Sequence, residues 1–175
     1  IITKACNAMG TSSEVFNCLD NTDVSFNDFV VDGKTYELNN ANYISYLNSR
    51  NREIRKKAFE NLYEYYKNHI NTLATCFRGN IKEDYFISNV RKFDNPLEQS
   101  LYADDIKKEV YTNLIKTVHD NLNKVYDYFD LRKKILKLDE LHMYDIHVDL
   151  IEEESKNVPF EEGKEIIFEA LKPLG

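Results

Sequence analysis

The sequence IRKKAFENLYEYYKNHINTLATCF, residues 54–77, carries apolar side chains at steps of three and four residues. The repeating positions are Ile54, Ala58, Leu62, Tyr65, Tyr66, Leu73, Cys76 and Phe77. This spacing aligns the apolar groups on one face of an α-helix, with a weaker turn around His69. We therefore expect one helix of about 25 residues or more, which is about 40 Å long at a rise of 1.5 Å per residue.

Similar patterns extend on both sides of this stretch. Further helices are expected over residues 1–9 ending at Gly10, from Ser13, over residues 81–93, from Asn95-Pro96, and from Pro159 to a stop before Pro173. A second long helix is predicted from an apolar face made of Val110, Leu114, Ile115, Val118, Leu122, Val125, Phe129 and Leu136. Helices of this length pack side by side in large helical proteins, so the predicted fold class is mainly α.

The composition agrees with a mainly helical globular protein. The 175 residues are 42% apolar and 30% charged, and they include only 5 glycines and 3 prolines, where average usage gives about 12 and about 9. So few chain-breaking residues favour long helices over a sandwich or a barrel. The net charge of −7 argues against nucleic acid or an anionic membrane surface as the main partner. No apolar run reaches the roughly 18 residues that a membrane span needs.

One β-hairpin is expected between the helices. Asp32-Gly33 separates two β-prone runs, residues 24–31 and residues 34–38, and Asp-Gly in this position is a strong hairpin signal. Asn39 and Asn40 end the hairpin and can cap the next helix. We place a domain boundary here, between residues 1–38 and residues 39–175.

A short strand is expected over residues 143–150. Apolar Tyr144, Ile146, Val148 and Leu150 alternate there with Asp145, His147 and Asp149. This alternation predicts a half-buried strand whose polar side chains share one face. With His142 just upstream, these imidazole and carboxylate groups could bind a metal or serve acid–base chemistry. Alternatively, these side chains are exposed or serve as hydrogen-bonded structural residues. The absence of a strong metal motif favours this alternative.

No catalytic motif can be assigned from the residues alone. His69 and His119 have no second histidine four residues away, and His-Glu-x-x-His, the zinc-peptidase motif, is absent. Gly-rich phosphate loops and a Gly-x-Ser-x-Gly elbow are absent too. The basic cluster at residues 50–57 is expected to be a solvated helix face rather than an anion or nucleic-acid patch. Three cysteines without a Cys-x-x-Cys pair predict free, mostly buried thiols in a reducing compartment.

Three strings carry a resemblance to a known family. They are YISYLNSRNREIRKKAFE at residues 43–60, LRKKILKLDELHMYD at residues 131–145 and EALKPLG at residues 169–175. All three closely resemble oligoendopeptidase F of the thimet-type zinc metallopeptidases. The hairpin segment resembles the end of that family's N-terminal helical domain. The resemblance spans nearly the whole chain, in family order.

The resemblance implies a cytoplasmic, mostly helical enzyme with two lobes around a deep channel, which cleaves oligopeptides at internal bonds. In the family, the two histidines of His-Glu-x-x-His and a downstream glutamate hold zinc, and the motif's glutamate is the general base. This sequence stops before that motif, so we expect a piece of a longer enzyme. Residues 1–38 then correspond to the end of the N-terminal domain, and residues 39–175 to the first part of the peptidase domain. We expect this piece to hold no catalytic residue and no zinc, and to be inactive by itself.

Two hypotheses remain open for the surface of the chain. The polar face of the predicted strand makes His142, Tyr144, Asp145 and His147 candidates for a channel-facing element, with structural packing between lobes as the alternative. For the chain as a whole, the alternative to an enzyme fragment is a non-enzymatic helical module that binds a partner. An enzyme fragment should leave apolar helix faces uncovered and self-associate, whereas a finished module should be monodisperse or form a defined dimer.

Overall fold

The structure, a computed structural model, describes residues 9–151 and 158–174. Within these ranges the chain is mainly helical with one antiparallel hairpin, which confirms the predicted fold class. The α-helices are α1 (Thr11–Asn17), α2 (Tyr43–Leu47), α3 (Arg52–Asn68), α4 (Ile70–Val90), α5 (Pro96–Tyr102), α6 (Lys108–Asp120), α7 (Leu122–Ile135) and α8 (Phe160–Leu171). A π-helical turn (Cys18–Thr22) follows α1, and 3-10 turns lie at Met143–Asp145 and Lys172–Leu174. Most of the helix predicted over residues 1–9, including Cys6, lies outside the described residues. The three glutamates at residues 152–154, which are typical of a solvated loop, lie outside them too.

The long helix predicted over residues 54–77 is divided at His69 into α3 and α4. The His69 N–H donates to the carbonyls of both Tyr65 and Tyr66 at 3.2 Å, and its backbone leaves helical geometry at φ −107°, ψ 14°. The imidazole Nδ1 also lies 2.8 Å from the Tyr65 carbonyl oxygen, so the side chain competes for the same acceptor. Beyond this junction α4 continues without a break to Val90, so the helix predicted separately from residue 81 is part of α4.

The second long helix is likewise divided, at Asn121. The Asn121 side-chain amide donates to the Thr117 carbonyl at 2.8 Å, and the residue has φ −113° and ψ 9°. Because an asparagine side chain offers the backbone an alternative hydrogen bond, it weakens a helix interior. The prediction of one continuous helix from Val110 to Leu136 is therefore wrong, and α6 and α7 replace it.

The hairpin and the start of α5 follow the sequence signals, and α3 begins with a similar asparagine cap. Strands β1 (Phe29–Val31) and β2 (Lys34–Tyr36) pair with Phe29 opposite Tyr36, and Asp32 and Gly33 form the turn at φ 51° and 75°. Both turn residues have positive φ, as a type I′ turn requires. At α3 the Asn51 side chain accepts from Glu53 N at 3.0 Å, and at α5 Asn95 accepts from Glu98 N at 3.0 Å.

The strand predicted over residues 143–150 is wrong. The chain instead forms the 3-10 turn Met143–Asp145 followed by bends. The apolar alternation there is real, but no neighbouring strand is present among the described residues to pair with it, and the segment obtains its hydrogen bonds from arginine side chains.

Burial is concentrated in the first part of the chain. The hairpin packs on α3 through a cluster of Phe29, Val31, Leu38, Ile54, Ala58 and Leu62. In contrast, α6 and α8 contain no buried residue, and α7 buries only Arg132. Val110 and Leu114 of α6 remain 61% and 63% exposed, so an apolar face is uncovered by the described residues. No helix of this described part combines the length and apolarity needed to cross a bilayer.

Candidate functional site

The segment that follows α7 is anchored by a buried carboxylate. Asp145 closes the 3-10 turn, and its side chain has no solvent-accessible surface within this chain. Its Oδ2 accepts from the His142 N–H at 3.1 Å, while the Asp145 N–H donates to the His142 carbonyl at 2.9 Å. This reciprocal pair fixes the turn locally.

Two arginines of the first turn of α3 hold the same carboxylate. Arg52 donates to both carboxylate oxygens of Asp145, from Nε to Oδ1 at 3.2 Å and from Nη2 to Oδ2 at 2.9 Å. Arg55 donates from Nη2 to Oδ1 at 2.7 Å, and it is only 3% exposed. Bidentate and charge-assisted contacts of this kind are the strongest side-chain hydrogen bonds in proteins. They join the start of α3 to a segment about ninety residues further along the chain.

Arg55 also braces the backbone around it. Its Nη1 donates to the carbonyls of Ser49 at 2.8 Å and Arg50 at 3.2 Å, and its Nε donates to the Tyr144 carbonyl at 3.2 Å. The guanidinium therefore orders the turn before α3 and the 3-10 turn together.

The third arginine comes from α7. Arg132 is 5% exposed, and its Nη2 donates to the carbonyls of Asp145 and Val148. Its Nη1 donates to the Tyr128 hydroxyl at 3.1 Å. Val148, whose carbonyl accepts from Arg132, is 1% exposed, so this arginine binds the segment after the 3-10 turn at its buried residue.

The electrostatics keep Asp145 ionised. Burial on its own raises the pKa of this carboxyl, because it disfavours the charged form. Hydrogen bonds from Arg52, Arg55 and the His142 N–H outweigh burial, and the pKa of Asp145 lies below its usual value. The Asp145 hydrogen bond in turn raises the pKa of the Arg52 guanidinium. A carboxylate whose oxygens are occupied in this way is poorly suited to accept a proton, so the cluster fixes geometry rather than transfers protons.

The structure brings together three of the four residues predicted to face a channel. The His142 ring stacks on the Tyr144 ring at 5.0 Å between centroids, and Tyr144 itself is buried beside Asp145. His147 lies apart on the exposed surface, as does Asp149. The predicted common polar face is therefore wrong, because the 3-10 turn buries Asp145 and leaves the other two polar side chains outside.

The described residues do not form a metal site. No group of three or more histidine, cysteine, aspartate or glutamate side chains among them is placed to hold an ion. The candidate set in the sequence, Asp145 with His147 and Asp149, does not fit zinc either, because arginines occupy both oxygens of Asp145. Of the cysteines in this part, Cys76 is buried and Cys18 is exposed, and both are free thiols.

The arginines are the residues that sequence reasoning missed. The basic cluster at residues 50–57 was expected to be solvated, yet Arg55 is buried and Arg52 is half-buried and ion-paired. Even Arg50 donates to the Ile151 carbonyl at 2.9 Å. One signal was present, since Arg55 directly follows Ile54 and precedes Ala58 by three residues, on the apolar side of the helix.

Comparison with known proteins gives a consistent result. The profile of Peptidase family M3 matches residues 45–173. The chain is 38% identical over its whole length to oligopeptidase PepF of Bacillus subtilis, and 37% identical over 92% of its length to an oligoendopeptidase F homolog of Borreliella burgdorferi. It spans 26% and 27% of those two proteins.

A solved structure agrees in fold. The crystal structure of oligoendopeptidase-F from Enterococcus faecium superposes with a TM-score of 0.81 at 32% identity, and the alignment covers 98% of this chain and 32% of that one. Because the family profile covers well over half of the residues, this chain belongs to peptidase family M3.

Proposed function

We propose that this chain is part of a zinc-dependent endopeptidase that hydrolyses internal peptide bonds of oligopeptides in the cytoplasm. The observation that carries the proposal is 38% identity over the entire chain to an oligopeptidase of which it spans about a quarter. In this proposal residues 1–38 end an N-terminal domain, and residues 39–175 begin the peptidase domain.

The chemistry of the whole enzyme has to come from other residues. The sequence contains no His-Glu-x-x-His, and the described residues offer no set of side chains that fits zinc. We therefore propose that the 175-residue chain does not cleave peptides by itself. Its role is to build part of the scaffold around the substrate, with the arginine–Asp145 cluster fixing the segment that follows α7.

The direct test begins with the source gene. Its reading frame should continue past the codon for Gly175 and encode His-Glu-x-x-His followed by a later glutamate. The full-length protein should then cleave a quenched fluorescent peptide, lose this activity in a chelator and regain it with zinc. The 175-residue chain serves as the matched control and should show neither stoichiometric zinc nor chelator-sensitive hydrolysis. A stop codon after Gly175 would instead favour the non-enzymatic helical module.

The channel-facing role of His142, Tyr144, Asp145 and His147 is also a proposal. His147 allows the cleaner test, because its side chain is exposed, whereas His142 also stacks on the buried Tyr144 ring. In the full-length enzyme, His147→Ala should raise KM for peptide without lowering the unfolding midpoint. His142→Ala should also raise KM, but with a small loss of stability from the missing stacking contact on Tyr144. Unchanged KM and turnover in both variants would contradict this proposal.

A further inference from the structure

Arg132 of α7 differs from the other buried arginine in its surroundings. Arg55 is buried against the Asp145 carboxylate, whereas Arg132 donates only to the neutral oxygens of Asp145, Val148 and Tyr128. Within residues 9–151 and 158–174, no carboxylate lies within 4.0 Å of the Arg132 guanidinium, and its Nε has no partner. Burial of a charge without a counter-charge costs free energy, so binding of an anion beside this guanidinium would be favourable.

A cleft lies beside this unpaired cation. Its volume is about 400 Å³, and its walls include Tyr128, Arg132, His147, Asp149 and Ile151. Sites for small ligands occupy about 300–1,000 Å³, so the cleft has room for more than a single ion.

Tyr128 adds a second donor to the cleft. Its hydroxyl oxygen accepts from Arg132 Nη1, so the hydroxyl hydrogen is free to donate, and no acceptor for it is found in the described part of the chain. The guanidinium and the hydroxyl thus offer adjacent donors, an arrangement that suits the two oxygens of a planar carboxylate. Asp149 on the same wall disfavours an anion of higher charge, such as a phosphate dianion.

We infer that the cleft formed by Tyr128, Arg132 and the segment His147–Ile151 binds a carboxylate of a peptide ligand. The nature of the ligand rests on the proposed peptidase function, whereas the preference for a carboxylate rests on the unpaired guanidinium and the free hydroxyl. The apolar wall at Ile151 accommodates the part of the peptide next to its carboxylate.

The test is a titration of the 175-residue chain, followed through the NMR signals of His147 and Tyr128. The probes are acetyl-trialanine as the free acid, its C-terminal amide, and an amide with one internal glutamate. The free acid should bind in the millimolar range and the amide at least tenfold more weakly. Binding of the glutamate-containing amide would show that side-chain carboxylates are also accepted, whereas its failure would assign the site to the peptide C-terminus.

Substitutions in the cleft distinguish a loss of ligand binding from a loss of folding. Arg132→Lys keeps the charge but loses the planar fork, and it should weaken binding of the free acid at least tenfold. Because Arg132 also holds backbone carbonyls, Tyr128→Phe is the milder variant and should weaken binding several-fold. Tyr126→Phe, on the same helix and 60% exposed, is its matched control and should change nothing. Asp149→Asn should tighten binding several-fold, since it removes a like charge from the wall.

Several outcomes would overturn the inference. Equal binding of the free acid and the amide would show that the cleft has no preference for a carboxylate. Equal effects of Tyr128→Phe and Tyr126→Phe on binding would show that the ligand does not bind in this cleft. Binding seen only after Glu152, Glu153 and Glu154 are changed to glutamine would mean that the chain supplies its own counter-charge. None of these readouts requires hydrolysis, so an inactive full-length protein would contradict the proposed function and leave the carboxylate site intact.

Discussion

The Arg55 guanidinium donates to Asp145 Oδ1 at 2.7 Å, across 90 residues of sequence. Both side chains are almost completely shielded from solvent within this chain. Arg55 lies in the first turn of α3, which packs on the hairpin, and Asp145 lies in the turn beyond α7. Together with the Arg52–Asp145 pair, this ion pair therefore connects the well-packed first part of the chain to a second part with few buried side chains of its own.

Removal of Asp145 should destabilise the fold strongly. Asp145→Ala leaves the Arg55 guanidinium buried without a counter-charge, and breaking a buried pair in this way costs about 3–5 kcal/mol. The free energy of unfolding from urea titrations provides the measurement. The double variant Arg55→Met with Asp145→Ala should lose less than the sum of the single losses, because the two groups interact directly.

A surface pair provides the control for this experiment. Lys116 and Asp120 form an exposed ion pair one turn apart on α6. Asp120→Ala should change the free energy of unfolding by no more than about 0.5 kcal/mol. Similar losses at Asp120 and Asp145 would contradict a special role of the buried carboxylate.

The lowered pKa of Asp145 makes its contribution depend on pH. A carboxyl whose pKa is lower in the folded state than its unfolded value of about 3.9 stabilises the fold above that pH. The contribution is lost as the pH falls through the folded-state pKa. The difference in unfolding free energy between wild type and Asp145→Asn should therefore be constant near neutral pH and shrink below about pH 4. Urea titrations from pH 7 to pH 2 measure it, and a difference that persists unchanged at pH 2 would refute the prediction.

Gly79 of α4 allows α1 to approach closely. A Cβ atom at this position would lie 2.1 Å from Ser12 Oγ and 3.1 Å from Ser12 Cβ. Alanine gains about 1 kcal/mol in helix propensity, but overpacking costs about 1–3 kcal/mol. Gly79→Ala should therefore lower the free energy of unfolding by about 1 kcal/mol, as thermal unfolding can show.

The Ser12 contact can be tested as the cause. Addition of Ser12→Gly to Gly79→Ala removes both close contacts. Because glycine itself weakens α1, the double variant is compared with Ser12→Gly alone, and against that variant Gly79→Ala should cause no loss of stability. Gly163→Ala in α8 is the matched control, because the added Cβ would lie 3.8 Å from Val158 Cγ1, which is an ordinary contact. This variant should not lower the free energy of unfolding. A stabilising effect of Gly79→Ala by itself would contradict the prediction, because it would show that the Ser12 side chain or α1 moves aside at little cost.

Local signals in the sequence were sufficient for much of the fold. The Asp32-Gly33 turn and the Asn95 cap depend on residues next to each other, and both are confirmed. The pattern indicated only a weaker turn at His69 and nothing at Asn121. Both helices break there because a polar side chain competes for a carbonyl one turn away, while the apolar period continues across it.

The candidate site could not be predicted in the same way. The apolar–polar alternation over residues 143–150 indicated a half-buried strand. Such a pattern shows which side chains are apolar, but it does not fix the backbone conformation. Arg55 was assigned to a solvated face because its partner, Asp145, is remote in sequence and no local pattern pairs them. The number of charges gave no warning either, since a cluster of five basic residues within eight positions usually forms an exposed surface.

The uncovered apolar face of α6 should drive self-association of the 175-residue chain. Val110, Leu114 and Val118 lie on this face and are 51–63% exposed within the described residues. Contiguous apolar surface of this kind is normally covered by a partner or by another part of the protein. Leu114→Lys should shift the sedimentation coefficient at micromolar concentration toward that of a monomer, without lowering the unfolding midpoint, since Leu114 has no buried contact to lose.

Thr112→Lys is the matched control for this last experiment, because it adds the same charge to the same helix on the side opposite Leu114. If association depends on the apolar face, Thr112→Lys should sediment like the wild-type chain and only Leu114→Lys should dissociate. Equal dissociation by both variants would attribute the effect to net charge, which Lys substitutions reduce from −7 to −6. A wild-type chain that is already monomeric would contradict the prediction outright and would favour a finished module over an enzyme fragment.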